Sequence, residues 1–238
     1  MLDLTRKPPH PLVAASILSA DFGRMAAECE QVLDLGADLL HVDVMDGHFV
    51  SNLTMGQDMI RGVRRHLPGV LLDVHLMVER PGDYVDSFAD AGANHFTFHL
   101  EVCREMGGRN DADVLIERIT SRGMTAGMVI NPATPPDRLT RYLDRLAMVL
   151  VMSVVPGKSG QKFMAEVLPK VQWIAERIGD GTRLEMDGGI SPATAPQAAA
   201  AGCDVMVTAS ALFGADDRGA VIEALHHSGG GHDSGGDS

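Results

Sequence analysis

The chain is poor in aromatic residues, in basic residues and in cysteine. Phe, Trp and Tyr make up 4% of its 238 residues, too few for the stacking platforms that bind single-stranded nucleic acid. Lys and Arg number 20 against 32 Asp and Glu, a formal net charge of −12. A nucleic-acid partner needs a basic face to displace counterions from phosphate, so that class is excluded. A local basic pocket for one small phosphate is not. Cys29, Cys103 and Cys203 lie far apart and form no C-x-x-C pair, which removes zinc knuckles and thioredoxin-like motifs. So sparse and odd a count suits a reducing compartment, the cytoplasm. No apolar run approaches the ~18 residues that span a bilayer, so no membrane partner is expected. Arg6 and Lys7 before residues 12–18, with Leu18-Ser19-Ala20 after them, imitate a signal peptide. Pro8, Pro9 and Pro11 interrupt that run, which reads instead as a first core strand.

What is present is ordinary for a globular domain: 45% hydrophobic and 22% charged residues. Short apolar runs alternate with amphipathic stretches. The runs predict strands over 13–18, 39–45, 71–77, 95–99, 125–130, 149–154, 183–186 and 205–208. Helices are predicted over 24–35, 59–66, 84–91, 113–122, 137–143, 165–178, 194–201 and 218–225. Three of them end alike, in Leu35-Gly36-Ala37, Ala91-Gly92-Ala93 and Ala201-Gly202-Cys203, where glycine suits a left-handed cap. Eight strand–helix units at this length predict an α/β fold, a single-domain (β/α)8 TIM barrel over 12–227. An open doubly wound sheet would have fewer strands and a G-x-G-x-x-G first turn, and that turn here is Ser19-Ala20-Asp21-Phe22. Residues 1–11 read as an N-terminal extension. The end, SGGGHDSGGDS over 228–238, reads as a disordered, solvated tail, although His226, His227 and His232 could chelate a metal weakly.

Polar residues interrupt the strands with period two. His41, Asp43 and Met45 share one face of the second strand; Leu40, Val42 and Val44 share the other. The third strand repeats this with Asp73, His75 and Met77, and the seventh places Asp187 at its C-terminal end in phase with Glu185. In a barrel these faces point to the axis at the catalytic end. His41, Asp43, His75 and Asp187 would give two-nitrogen, two-oxygen ligation of one divalent ion, Zn²⁺, Fe²⁺, Mn²⁺ or Co²⁺. The competing reading is four hydrogen-bonded core residues. Convergence favours the metal, because unmatched buried carboxylates are costly. His95 reads as structural, His99 is left open, and Asp46 and Asp73 read as supporting groups rather than acids.

Glycine turns follow the last strands: Gly157-Lys158-Ser159-Gly160, Gly188-Gly189 and, with alanine in place, Ala209-Ser210. Loops after strands seven and eight commonly hold phosphate in barrels, on backbone N–H groups. Gly157-Lys158-Ser159 is not a Walker A loop, since Met152 stands where that motif needs glycine. Asp43 to His48 is not the D-x-K-x-x-D motif of orotidylate decarboxylase and hexulose-phosphate synthase barrels, since Met45 replaces the lysine and His48 the final aspartate.

Ser16-Ile17-Leu18-Ser19-Ala20-Asp21-Phe22, His41-Val42-Asp43-Val44-Met45-Asp46-Gly47-His48, Asp73-Val74-His75-Leu76-Met77-Val78, Asn131-Pro132-Ala133-Thr134-Pro135, Gly160-Gln161-Lys162-Phe163 and Asp187-Gly188-Gly189-Ile190 together resemble the ribulose-phosphate 3-epimerase family, over about residues 12 to 215. The resemblance implies a ribulose-phosphate-binding barrel that interconverts D-ribulose 5-phosphate and D-xylulose 5-phosphate, a phosphorylated ketopentose step of the pentose phosphate pathway. It implies one divalent ion per subunit on His41, Asp43, His75 and Asp187, with Asp43 and Asp187 as the acid/base pair. Ser16 and His75 would face substrate, Met45, Met77 and Met152 would line the reacting face, and the three turns would take the phosphate. Family precedent adds a homo-oligomer. A hexulose-phosphate (allulose 6-phosphate) 3-epimerase would share the same set, and a non-catalytic sugar-phosphate binder would not need two opposed acids. Three departures fall at the phosphate end: Lys158-Ser159 for Phe-Gly, Ala209 for glycine, and Val155 for asparagine.

Overall fold

Alternation in residues 39–45 becomes strand β2 (Leu39–Met45), whose outward side chains Leu40, Val42 and Val44 are packed under helices while His41 and Asp43 face the axis. The computed structural model describes residues 2–103 and 106–229. Seven further strands share that pattern: β1 (Leu12–Ser16), β3 (Leu72–Met77), β4 (His95–His99), β5 (Thr125–Ile130), β6 (Met148–Met152), β7 (Arg183–Asp187) and β8 (Val205–Thr208). All pair in parallel in chain order, and β8 returns to β1, which closes the barrel. The predicted (β/α)8 barrel is what forms.

The outer ring holds α1 (Met25–Asp34), α2 (Gln57–His66), α3 (Val85–Ala91), α4 (Ala112–Ser121), α5 (Leu168–Ala175), α6 (Ala195–Ala200), α7 (Ser210–Phe213) and α8 (Arg218–His226). Asp111 caps α4 by accepting from the N–H groups of Asp113 and Val114, and Asp217 caps α8 through the N–H of Ala220. The main core lies between strands and helices. Each fully buried Leu, Ile or Phe there contributes roughly 1.5–3 kcal/mol.

Two elements differ from expectation. The helix predicted over 137–143 is a pair of 3₁₀ turns, Pro136–Leu139 and Leu143–Arg145. Leu139 and Leu143 are buried all the same, so the spacing that suggests an α-helix is satisfied by two short turns that open on Pro135-Pro136. The helix predicted over 165–178 is a 3₁₀ turn, Ala165–Val167, that leads into the shorter α5. The short α7 after β8 has no counterpart among the predicted helices.

Three layers fill the barrel. At the N-terminal end Leu4, Leu12, Ala14, Leu39, Leu71, Met148, Val205 and Val207 form an apolar plug, so the N-terminal segment contributes Leu4 to the floor. The middle layer is polar, with His41, Asp73, His95, Thr97 and Glu185 fully buried. The third is the site described next. At the C-terminus a 3₁₀ turn, His227–Gly229, carries helical structure two residues past the boundary expected at 227. The remaining tail residues, 230–238, with His232, lie outside the described residues. His226 is tied to the body through Asp38 Oδ2 at 2.8 Å, and His227 Nδ1 lies 2.8 Å from the Glu223 carbonyl.

Candidate metal and acid–base centre

Strand ends β2, β3 and β7 bring His41, Asp43, His75 and Asp187 together, with one donor atom of each within 4.8 Å of all the others. His41 Nε2 lies 3.4 Å from Asp43 Oδ1 and 3.4 Å from His75 Nδ1. His75 Nδ1 lies 3.2 Å from Asp43 Oδ1 and 3.9 Å from Asp187 Oδ2. Four ligands on tetrahedral bonds of about 2.0–2.1 Å would be spaced about 3.3 Å apart. The donor set fits a single divalent ion in type and in spacing.

The surroundings fit as well. His41 Nδ1–H donates to Asp73 Oδ2 at 2.6 Å, which turns Nε2 toward the other three donors. A carboxylate behind a ligating imidazole is the usual way to fix its tautomer. Burial opposes a charge on His41, but the carboxylates of Asp73, Asp43 and Glu185 outweigh it and hold its pKa well above the ordinary histidine value. The point where these groups meet demands positive charge, from a proton or from a metal ion.

The two aspartates are pushed apart. Burial would raise Asp43, yet the positive charge of His41 and the imidazole nitrogens of His41 and His75 beside its carboxylate bring its pKa below the usual carboxylate range. Asp187 is raised to about 6, by burial first and by the Asp43 charge second. Opposite perturbation of two neighbouring carboxyls is the pattern of an acid and a base. The Ser16 hydroxyl donates to Asp43 Oδ2 at 2.6 Å, so it orients the carboxylate as well as facing the cavity. Thr54 Oγ1 donates to the Asp43 carbonyl at 2.6 Å and accepts from the Met45 N–H, which holds the end of β2.

Above the donor set opens a cavity of about 300 Å³, at the small end for a small-molecule site. Asp43 and Asp187 stand in its floor with Met45, Met77 and Met152. Gly157, Lys158, Ser159, Gly160, Gly188, Gly189, Ala209 and Ser210 line the rest. His41 and His75 lie beneath, with no exposure. The structure thus brings every expected site residue to one place. Gly188 and Gly189 have φ of +122° and +66°, and a Cβ would meet Val154 at 2.6 Å and Phe163 N at 2.5 Å respectively. Only glycine fits this turn. Ala209 has φ −118°, outside the region that favours glycine, so its backbone takes the extra methyl without that strain. Lys158 is exposed on the rim.

Sequence reasoning missed two features. Ser19 and Ser159 hydroxyls meet at 2.7 Å and link the loops after β1 and β6. Glu101 joins the site through His99, from a 3₁₀ turn (Leu100–Val102) where strand alternation carries no signal. Asp46 is a loop anchor as expected, accepting from the N–H groups of His48, Phe49 and Glu79.

Fold and site together define a (β/α)8 barrel that gathers two carboxyl groups and two histidines beneath one cavity at its C-terminal end. The ribulose-phosphate 3 epimerase family model matches residues 12–213. The chain is 43% identical over 219 residues to the ribulose-phosphate 3-epimerase, cytoplasmic isoform, of Oryza sativa subsp. japonica, which covers 91% of this chain and 93% of the relative. It is 41% identical to the ribulose-phosphate 3-epimerase of Bacillus subtilis, over 91% of this chain and 98% of the relative. Among solved structures, 3-hexulose-6-phosphate synthase from Salmonella typhimurium superposes with a TM-score of 0.62 at 18% identity, over 92% of this chain and 98% of that one, and so shares the fold. The chain belongs to the ribulose-phosphate 3-epimerase family.

Proposed function

We propose that the chain interconverts D-ribulose 5-phosphate and D-xylulose 5-phosphate by inverting C3, a step of the pentose phosphate pathway. The observation that carries this reading is the convergence of Asp43 and Asp187, from β2 and β7, on the floor of one cavity over two buried histidines. One carboxylate takes the C3 proton from one face of the sugar, leaving a planar enediolate. The other, in its acid form, returns a proton to the opposite face, and the roles exchange in the reverse direction. His41, Asp43, His75 and Asp187 would hold one divalent ion, which when bound polarises the C2 ketone and stabilises developing negative charge. Met45, Met77 and Met152 exclude water over the reacting carbons without offering a competing proton. The phosphate would sit on the turns at Gly157–Gly160, Gly188–Gly189 and Ala209–Ser210, where the glycines let backbone N–H groups approach. Family precedent supports a homo-oligomer, and the rice relative's name supports a cytoplasmic location.

Asp187→Asn tests the assignment. Epimerisation should fall by at least ~10²–10⁴-fold, as for a lost general acid/base. Deuterium wash-in at C3 is the sharper readout, since the remaining carboxylate can still exchange the proton on its own face while inversion stops. Full turnover by the metal-loaded variant would remove Asp187 from the reaction.

A further inference from the structure

His99 is not among the donors, yet it is fully buried against one of them: His99 Nε2 lies 3.0 Å from His75 Nε2, with the ring planes 28° apart and the centroids 5.1 Å apart, so the rings meet edge to edge. On its far side His99 Nδ1 lies 3.2 Å from Glu101 Oε2. The other Glu101 oxygen, Oε1, accepts from the Asn131 N–H at 2.9 Å and from the Thr134 hydroxyl. These contacts have a direction. An ionised carboxylate only accepts, so His99 Nδ1 carries the proton toward Glu101. A neutral His99 then presents a lone pair at Nε2, and His75 must donate to it from its own Nε2–H. The remaining nitrogen of His75, Nδ1, is left with its lone pair toward His41, Asp43 and Asp187.

We propose that Glu101 and His99 are positioning residues for the metal, a hydrogen-bond relay that holds His75 in the tautomer whose Nδ1 lone pair faces the ion. This rests on the metal reading above. His41 receives the same service directly from Asp73. His75 presents its Nδ1 instead, so its outer nitrogen points across to β4, and His99 bridges the gap to a carboxylate.

Glu101→Gln reverses the relay without emptying the space. The amide oxygen keeps the two donors from Asn131 and Thr134, so the amide N–H₂ must face His99 Nδ1. His99 then accepts there and donates from Nε2, and the His75 proton is driven onto Nδ1, into the place of the ion. Glu101→Ala removes the carboxylate but imposes no wrong direction. Zn²⁺ affinity of the full chain, measured by chelator competition, should therefore fall in the order wild type, Ala, Gln, with the Gln variant down about 10–100-fold. A purely structural role predicts Gln above Ala, because Gln preserves volume and the contacts from Asn131 and Thr134. The ¹⁵N spectrum of the Zn²⁺-loaded wild type gives a readout that needs no variant: His75 Nε2 and His99 Nδ1 should both be protonated. Protonation of His99 at Nε2, or a Gln variant that binds as tightly as Ala, would overturn the relay. Failure of the wild type itself to take up Zn²⁺ would instead strike the metal reading, and the relay with it.

Discussion

Glu101 is a largely buried carboxylate that stays charged. Burial would raise its pKa, but the hydrogen bonds from His99, Asn131 and Thr134 outweigh burial and bring it from 4.5 to about 2. That lowering is a stability statement. The unfolded chain takes up the proton near 4.5 and the folded chain only near 2, so Glu101 stabilises the fold above pH 4.5. Its contribution, on the order of 3 kcal/mol, is lost as pH falls from 4.5 to about 2. Urea unfolding of the wild type and Glu101→Gln should differ most at neutral pH and converge on acidification. A gap that stays constant down to about pH 3 would mean that the ionised carboxylate is not what stabilises this corner. At the same scale, the limit of the sequence is visible in His99. Alternation places it on the inward face of β4 with His95 and Thr97, but alternation says nothing about partners. Its role emerges only once β3 lies alongside β4 and Glu101 folds back over the strand end.

Among the elements, the strands are legible in the sequence and one connection is not. His41, Asp43, Asp73, His75 and Asp187 sit in phase with their strands, so period two alone assigns each to the axis. Residues 136–145 mislead, because Leu139 and Leu143 are four apart whether they anchor one α-helix or two 3₁₀ turns. The segment after β6 holds two of the three departures read in the sequence, Val155 and Lys158-Ser159. The Gln161 amide donates to the carbonyls of Val155 at 2.7 Å and Lys158 at 3.0 Å, which closes the turn, while the Lys158 side chain stands exposed on the cavity rim. An ammonium there can make a charge-assisted contact to the phosphate of the proposed substrate. Lys158→Ala should raise KM for the phosphosugar severalfold, more at low salt, with kcat little changed, because a contact of this kind binds ground and transition states alike. A KM that ignores both the substitution and the ionic strength would leave the phosphate to the backbone N–H groups alone.

At the scale of the whole barrel, stability and chemistry occupy opposite ends of the same strands. Arg183 opens β7 and Asp187 closes it, about 13 Å apart at ~3.3 Å per residue. Arg183 is 1% exposed in the floor. Its guanidinium donates to the Leu4 carbonyl at 3.1 Å, to Asp204 Oδ2 at 2.9 Å and to the Asp180 carbonyl. Asp204 in turn accepts the Leu184 N–H at 2.8 Å, while its own backbone carbonyl accepts from the Leu12 N–H, so one ion pair ties β7, β8, β1 and the N-terminal segment together. Burial raises the Asp204 pKa and Arg183 opposes it. Arg183→Met keeps an unbranched apolar stem and removes the guanidinium, which leaves a buried carboxylate without its cation. Breaking a buried pair from one side costs about 3–5 kcal/mol, and protonation of Asp204 should bring the loss toward the lower figure. For a chain of this size that is a fall in Tm of roughly 10 °C. The four donors at the other end of the barrel make no contact with Arg183, so kcat and Zn²⁺ affinity of the folded variant should match the wild type at room temperature. A variant that kept its Tm would show that the apolar plug around Leu4 closes the floor unaided. One that kept its Tm but lost activity would mean that the two ends of the barrel are not independent.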